Sequence, residues 1–103
     1  FQIKEYLHQN YAVPSMSVPD ISEHVHLSPA YVCTLFKNET GQTLNQYLTD
    51  YRIKMSKQFL SDPLYKITDI SAKVGYSDGN YYSKAFRKIV GLSPSEYREK
   101  MLR

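Results

Sequence analysis

Sulfur and glycine are scarce in this chain. Cys33 is the one cysteine among 103 residues. It cannot close an internal disulfide, which favours a reducing, cytoplasmic setting. Nor is there a second thiolate for a zinc site. His24 and His26 stand two apart around a turn and His8 stands alone, so no metal site is expected. The four glycines form no phosphate-cradling loop, and neither paired carboxylates nor a nucleophile–base set is visible. No catalytic residue and no cofactor are therefore expected, which argues against an enzyme. No apolar run approaches the roughly 20 residues of a membrane span, and no basic-then-apolar signal segment opens the chain. The first residue is Phe1 rather than Met, so the chain reads as a piece of a longer protein.

What is present suits one small folded domain, or two very small ones sharing a core. Apolar residues make up 42%, too many for a disordered tail. The net charge of +3 is modest but unevenly spread. Residues 1–51 carry −3 and residues 52–103 carry +6. That split points to a polyanion held mainly by the second half, although a solvated basic face explains it about as well.

The chain repeats itself. Residues 21–47 read ISEHVHLSPAYVCTLFKNETGQTLNQY, and residues 70–97 read ISAKVGYSDGNYYSKAFRKIVGLSPSEY. Ile21, Ser22, Val25 and Ser28 match Ile70, Ser71, Val74 and Ser77 at an offset of 49. After one inserted residue, Tyr31, Phe36, Gly41 and Tyr47 match Tyr81, Phe86, Gly91 and Tyr97 at an offset of 50. A unit used twice suggests a ligand that repeats along its axis, as duplex DNA does.

Every periodic segment reads as helix. Ile3, Tyr6, Leu7 and Tyr11 space a first helix over about 2–11, stopped by Pro14. Ser17 to Asp20 forms a capping box that opens a second helix to about 25, with Val18, Ile21 and Val25 inward. Ser28 and Pro29 open a third, with Val32, Leu35 and Phe36 inward and Gly41 as its stop. Thr43 to Gln46 opens a long fourth helix to about 60, with Leu44, Tyr47, Leu48, Tyr51, Met55 and Phe59 as its apolar side. The cycle recurs. A fifth helix spans about 67–74, and Gly75 turns the chain. Ser77 is expected to cap a sixth helix to about 90, with Tyr82, Ala85, Phe86 and Ile89 inward. Ser93 to Glu96 opens a seventh, to about 102.

The expected fold is therefore all-α, with seven helices. They make two helix-turn-helix subdomains of homeodomain-like form, residues 1–42 and 62–103, joined by a linker helix over 43–61. In such a unit the second helix can enter the major groove. A linker of about 18 residues measures roughly 27 Å at about 1.5 Å per residue, comparable to the roughly 34–36 Å between successive major grooves. One chain could then read two adjacent grooves, at a site that need not be palindromic.

The stretch GYSDGNYYSKAFRKIVGLSPSEYREK (75–100) resembles the signature of the AraC/XylS family of bacterial transcription regulators. HLSPAYVCTLFKNETGQTLNQYL (26–48) resembles that family's first unit, and YRIKMSKQFL (51–60) its linker helix. The style of the first unit is similar to members fused to response-regulator receiver domains. The resemblance implies the DNA-binding half of a regulator. A sensing or receiver part would precede it in the full-length protein, which can dimerise. It also places base-facing positions on Ala30, Cys33 and Thr34, and on Gly79, Asn80, Ser83 and Lys84.

Helical facing leads to an overlapping set. The outward residues of the third helix are Ala30, Tyr31, Cys33, Thr34 and Lys37. Those of the sixth are Gly79, Asn80, Ser83, Lys84, Arg87 and Lys88. Lys84 suits guanine, Asn80 adenine and Ala30 a thymine methyl, while Thr34 can donate, accept or make a methyl contact. Lys37, Arg87 and Lys88 suit phosphate. Relatives often carry arginine where Thr34 stands, so the first unit is expected to read by shape and methyl contact and the second to grip by charge.

Plainer readings exist for several of these residues. Cys33 lacks an activating neighbour in sequence and reads as a small contact residue rather than a reactive thiol. Most of the ten tyrosines have core spacing. For Tyr81, core-edge packing and backbone contact both stay open. A helical protein-interaction module, contacting RNA polymerase through the acidic first half, is the alternative to DNA binding.

Overall fold

Capping residues set the helix boundaries. Thr43 Oγ1 accepts from the Gln46 N–H at 3.1 Å, and the Gln46 side chain accepts from the Thr43 N–H at 3.1 Å. Ser93 and Glu96 repeat this box at 3.1 and 2.9 Å. The Asp20 carboxylate accepts from both the N–H and the hydroxyl of Ser17 at 3.0 Å. The computed structural model describes residues 2–102. Among these, every regular element is a helix: α1 (Gln2–Asn10), α2 (Val18–Val25), α3 (Pro29–Thr40), α4 (Leu44–Leu60), α5 (Ile67–Lys73), α6 (Gly79–Val90) and α7 (Pro94–Met101). None is long and apolar enough to cross a membrane.

One boundary corrects the expectation. Asp78, not Ser77, caps α6, and its carboxylate accepts from the Asn80 N–H at 2.9 Å. Ser77 is thus the inserted residue. Up to the turn the repeats match closely: the Leu27 N–H donates to the Ser22 carbonyl at 3.1 Å, and the Tyr76 N–H to the Ser71 carbonyl at 2.9 Å. From the cap onward the offset is 50, so Asp78 stands where Ser28 does.

Two apolar cores form, one on each side of α4. The first holds Ile3, Leu7, Ile21, Val32, Phe36 and Leu44. The second holds Ile53, Leu60, Ile70, Val74, Tyr76, Tyr82 and Phe86. The expected apolar side of α4 contains Leu44, Tyr47 and Leu48, which join the first core, and Met55 and Phe59, which flank the second. It omits Ile53, Ser56 and Leu60, the residues buried deepest in the second half of the helix. Ile53 lies nine residues after Leu44, two and a half turns at about 3.6 residues per turn, so the two face opposite ways. A single-stripe reading fails because one helix serves two cores.

Ile89 is a further correction. Its spacing predicts an inward side chain, yet it is 43% exposed, and Val90 packs against the second core instead. Only two residues of α6, Tyr82 and Phe86, are fully buried. The body that results is elongated, 46 Å long and 22 Å across in both other directions.

Candidate nucleic-acid interface

Helices α3 and α6 are seated by matching residues, so the corresponding face of each helix turns away from its own core. Val32 and Phe36 are fully buried, and their counterparts Tyr82 and Phe86 are at most 1% exposed. Each pair is four residues apart, one turn of helix, and pins one face of its helix. Cys33 therefore corresponds to Ser83, Thr34 to Lys84 and Lys37 to Arg87. Both helices end on left-handed glycines, Gly41 and Gly91, whose N–H groups return to the Lys37 and Arg87 carbonyls at 2.8 Å.

The expected contact residues lie mostly in the open. On α3, Ala30, Tyr31, Cys33, Thr34 and Lys37 are exposed. On α6, Gly79, Asn80, Lys84, Arg87 and Lys88 are exposed, while Ser83 is half-buried. Tyr81 is 64% exposed and leans on Tyr76, with ring centroids 5.8 Å apart, so it lies outside the core. Tyr31, 52% exposed, stands at the equivalent place on α3. No acidic residue lies in the first turn of either helix. A phosphate approaching the start of α3 meets backbone N–H groups beside the neutral Ser28 cap, whereas at the start of α6 the Asp78 carboxylate already accepts from the Asn80 N–H.

Folding adds a feature that residue spacing misses. The start of α4 and the outer side of α6 enclose an open groove of about 740 Å³. Gln42, Asn45, Gln46 and Thr49 line one wall, and Lys84 and Lys88 the other. Asp50 lies in the same groove and accepts from the Gln42 side chain at 2.9 Å. Nothing in the local pattern marks Gln42 or Asn45, because their place depends on how α6 packs against α4. Among the described residues, no group of three or more His, Cys, Asp or Glu side chains could hold a metal ion.

Residues 21–100 match the family model described as a helix-turn-helix domain. The chain is 35% identical over 100 residues to the Msm operon regulatory protein of Streptococcus mutans, covering 97% of this chain and 36% of that protein. It spans well under half the length of the curated relatives it matches. Among solved structures, the C-terminal domain of AraT, a response regulator from Geobacillus stearothermophilus, superposes with a TM-score of 0.92 at 28% identity, covering 95% of this chain and 81% of that one. The DNA-binding domain of the transcriptional factor AdpA, solved in complex with a target DNA, shares the fold with a TM-score of 0.88 at 18% identity, covering 95% and 87%. With two seated units, paired outer faces and a match over residues 21–100, this chain belongs to the AraC-type helix-turn-helix domain family of transcription regulators.

Proposed function

We propose that this chain is the DNA-binding part of a transcription regulator and that it places α3 and α6 in successive major grooves of one duplex. One observation carries the reading. Two helices seated by equivalent residues present exposed faces along a 46 Å body, long enough to span the roughly 34–36 Å between grooves. Helix α4 has 17 residues, about 26 Å at about 1.5 Å each, and serves as the spacer. Family membership favours duplex DNA over the protein-interaction alternative. In this reading the first unit is residues 1–42, the linker 43–61 and the second unit 62–103.

Roles follow from side-chain chemistry. Lys84 and Asn80 read base edges, with Ser83 and Gly79 allowing close approach. Arg87, Lys88 and Lys37 hold phosphates. Ala30, Cys33 and Thr34 make the small contacts of the first unit, and Tyr31 reaches the backbone. Contact with RNA polymerase through the acidic first half can coexist with this reading, and dimerisation through other parts of a full-length protein rests on the family alone.

Selection of bound duplexes from a random pool tests the proposal. The expected product is an asymmetric site with two different blocks about one turn apart, bound more weakly as salt rises. A palindrome of identical half-sites, or binding insensitive to salt, would overturn it.

A further inference from the structure

Three parts of the chain meet at one side chain. Arg52 projects from α4 and is half-buried. Its Nε donates to the Tyr11 carbonyl at 2.8 Å, and its Nη2 donates to the Val13 carbonyl at 3.0 Å. Both carbonyls belong to the loop that leaves α1, in the first unit. The guanidinium also lies over the ring of Tyr76, with Cζ 5.5 Å from the centroid. Tyr76 is 6% exposed and belongs to the second core. Tyr11 itself packs against that second core. The junction is tight: a Cβ on Gly75 would strike the Tyr11 carbonyl oxygen and come within 2.8 Å of Arg52 Nε.

We propose that Arg52 is a positioning residue that fixes the distance and rotation between the two reading helices, and so the spacing of the two DNA blocks. The inference rests on the two-groove reading. Its physical basis is the planar fork of the guanidinium. Two N–H groups reach two carbonyls while the flat face stays free to stack on an aromatic ring, a combination that lysine cannot reproduce. Arg52 thereby ties the first unit's loop to the second unit's core across α4. Without that tie, bending or twisting of α4 would move one unit against the other. One inserted base pair shifts a block by about 3.4 Å along the duplex and by about a tenth of a turn around it. A rigid pair of helices discriminates against that shift; a loose pair tolerates it.

Two measurements test this, the first without DNA. Spin labels on the native Cys33 and on Lys100→Cys report the distance between the units. The parent chain is expected to give one narrow distribution, Arg52→Ala a broad one and Arg52→Lys one between. An unchanged distribution in Arg52→Ala, with cooperative unfolding retained, would overturn the proposal. If Arg52→Ala does not fold, Arg52→Lys decides in the same way.

The second measurement uses duplexes from the random-pool selection, re-made with one base pair inserted between the blocks. The parent is expected to lose at least about tenfold in affinity, about 1.4 kcal/mol. Arg52→Ala is expected to bind the preferred spacing more weakly and to show less than about a threefold difference between spacings. Equal spacing preference in parent and variant would overturn the proposal. If selection returns no two-block site, the two-groove reading fails, while the label distances still decide whether Arg52 holds the units together.

Discussion

His26 and Gly75 occupy the same left-handed turn position in the two repeats, with φ of +58° and +97°. Each sits between the short helix of its unit and the cap of the longer one. Histidine pays a steric penalty there that glycine avoids.

The pair predicts opposite responses. His26→Gly should stabilise the chain by about 0.5–1 kcal/mol, as the relieved strain outweighs glycine's extra flexibility. Gly75→Ala should destabilise by more than about 1 kcal/mol, because strain at positive φ adds to the collision with Tyr11 and Arg52. Urea denaturation measures both. A neutral Gly75→Ala would mean that the junction is slack.

The cap of α6 can be checked directly. Asp78→Ala should cost about 1 kcal/mol of stability, and Ser77→Ala within about 0.5 kcal/mol of nothing. The reverse order would restore Ser77 as the cap.

Lys84 and Thr34 face out at equivalent places and should differ in kind. Lys84→Ala should weaken duplex binding by about 1–3 kcal/mol and lower the salt slope by about 1. Thr34→Ala should leave that slope unchanged. The division of labour between the units would be wrong if Thr34→Ala lost more affinity and flattened the salt dependence more. Titrations at several salt concentrations separate the two effects.

Acid should loosen α7 through Glu96. The N–H and hydroxyl of Ser93 hold its carboxyl below the ordinary glutamate range, with Arg87 adding to the effect. A depressed folded pKa means that the unfolded chain binds the proton more readily. The stabilisation is therefore whole above the unfolded value of about 4.3 and fades as pH falls through the lower folded value. Glu96→Gln can still cap α7 but should lose this part of the acid dependence. Urea midpoints between about pH 5 and pH 3 measure it. Identical slopes in parent and variant would rule out Glu96 as a source.

Much of the architecture was legible in the residues because capping and helical period act within a few positions of themselves. Ser28, Thr43 and Ser93 announce their helices. Val32 and Phe36, with Tyr82 and Phe86, announce which faces turn in. The outward residues of α3 and α6 followed from those same faces, and of these only Ser83 is half-buried rather than exposed. Local spacing does not reveal what lies over a face. Ile89 fits an inward stripe by spacing, yet no element covers it, whereas Val90 meets the second core.

By themselves, the residues determined the helices, their caps other than that of α6, the doubled unit and the outward faces of α3 and α6, since each depends on neighbours within a turn or two. Tertiary packing alone decided that α4 serves two cores on opposite sides, that α6 closes a groove against it, and that Arg52 reaches carbonyls 39 to 41 residues away. Those relations join segments that are distant along the chain, and no local period records which distant surface a helix will meet.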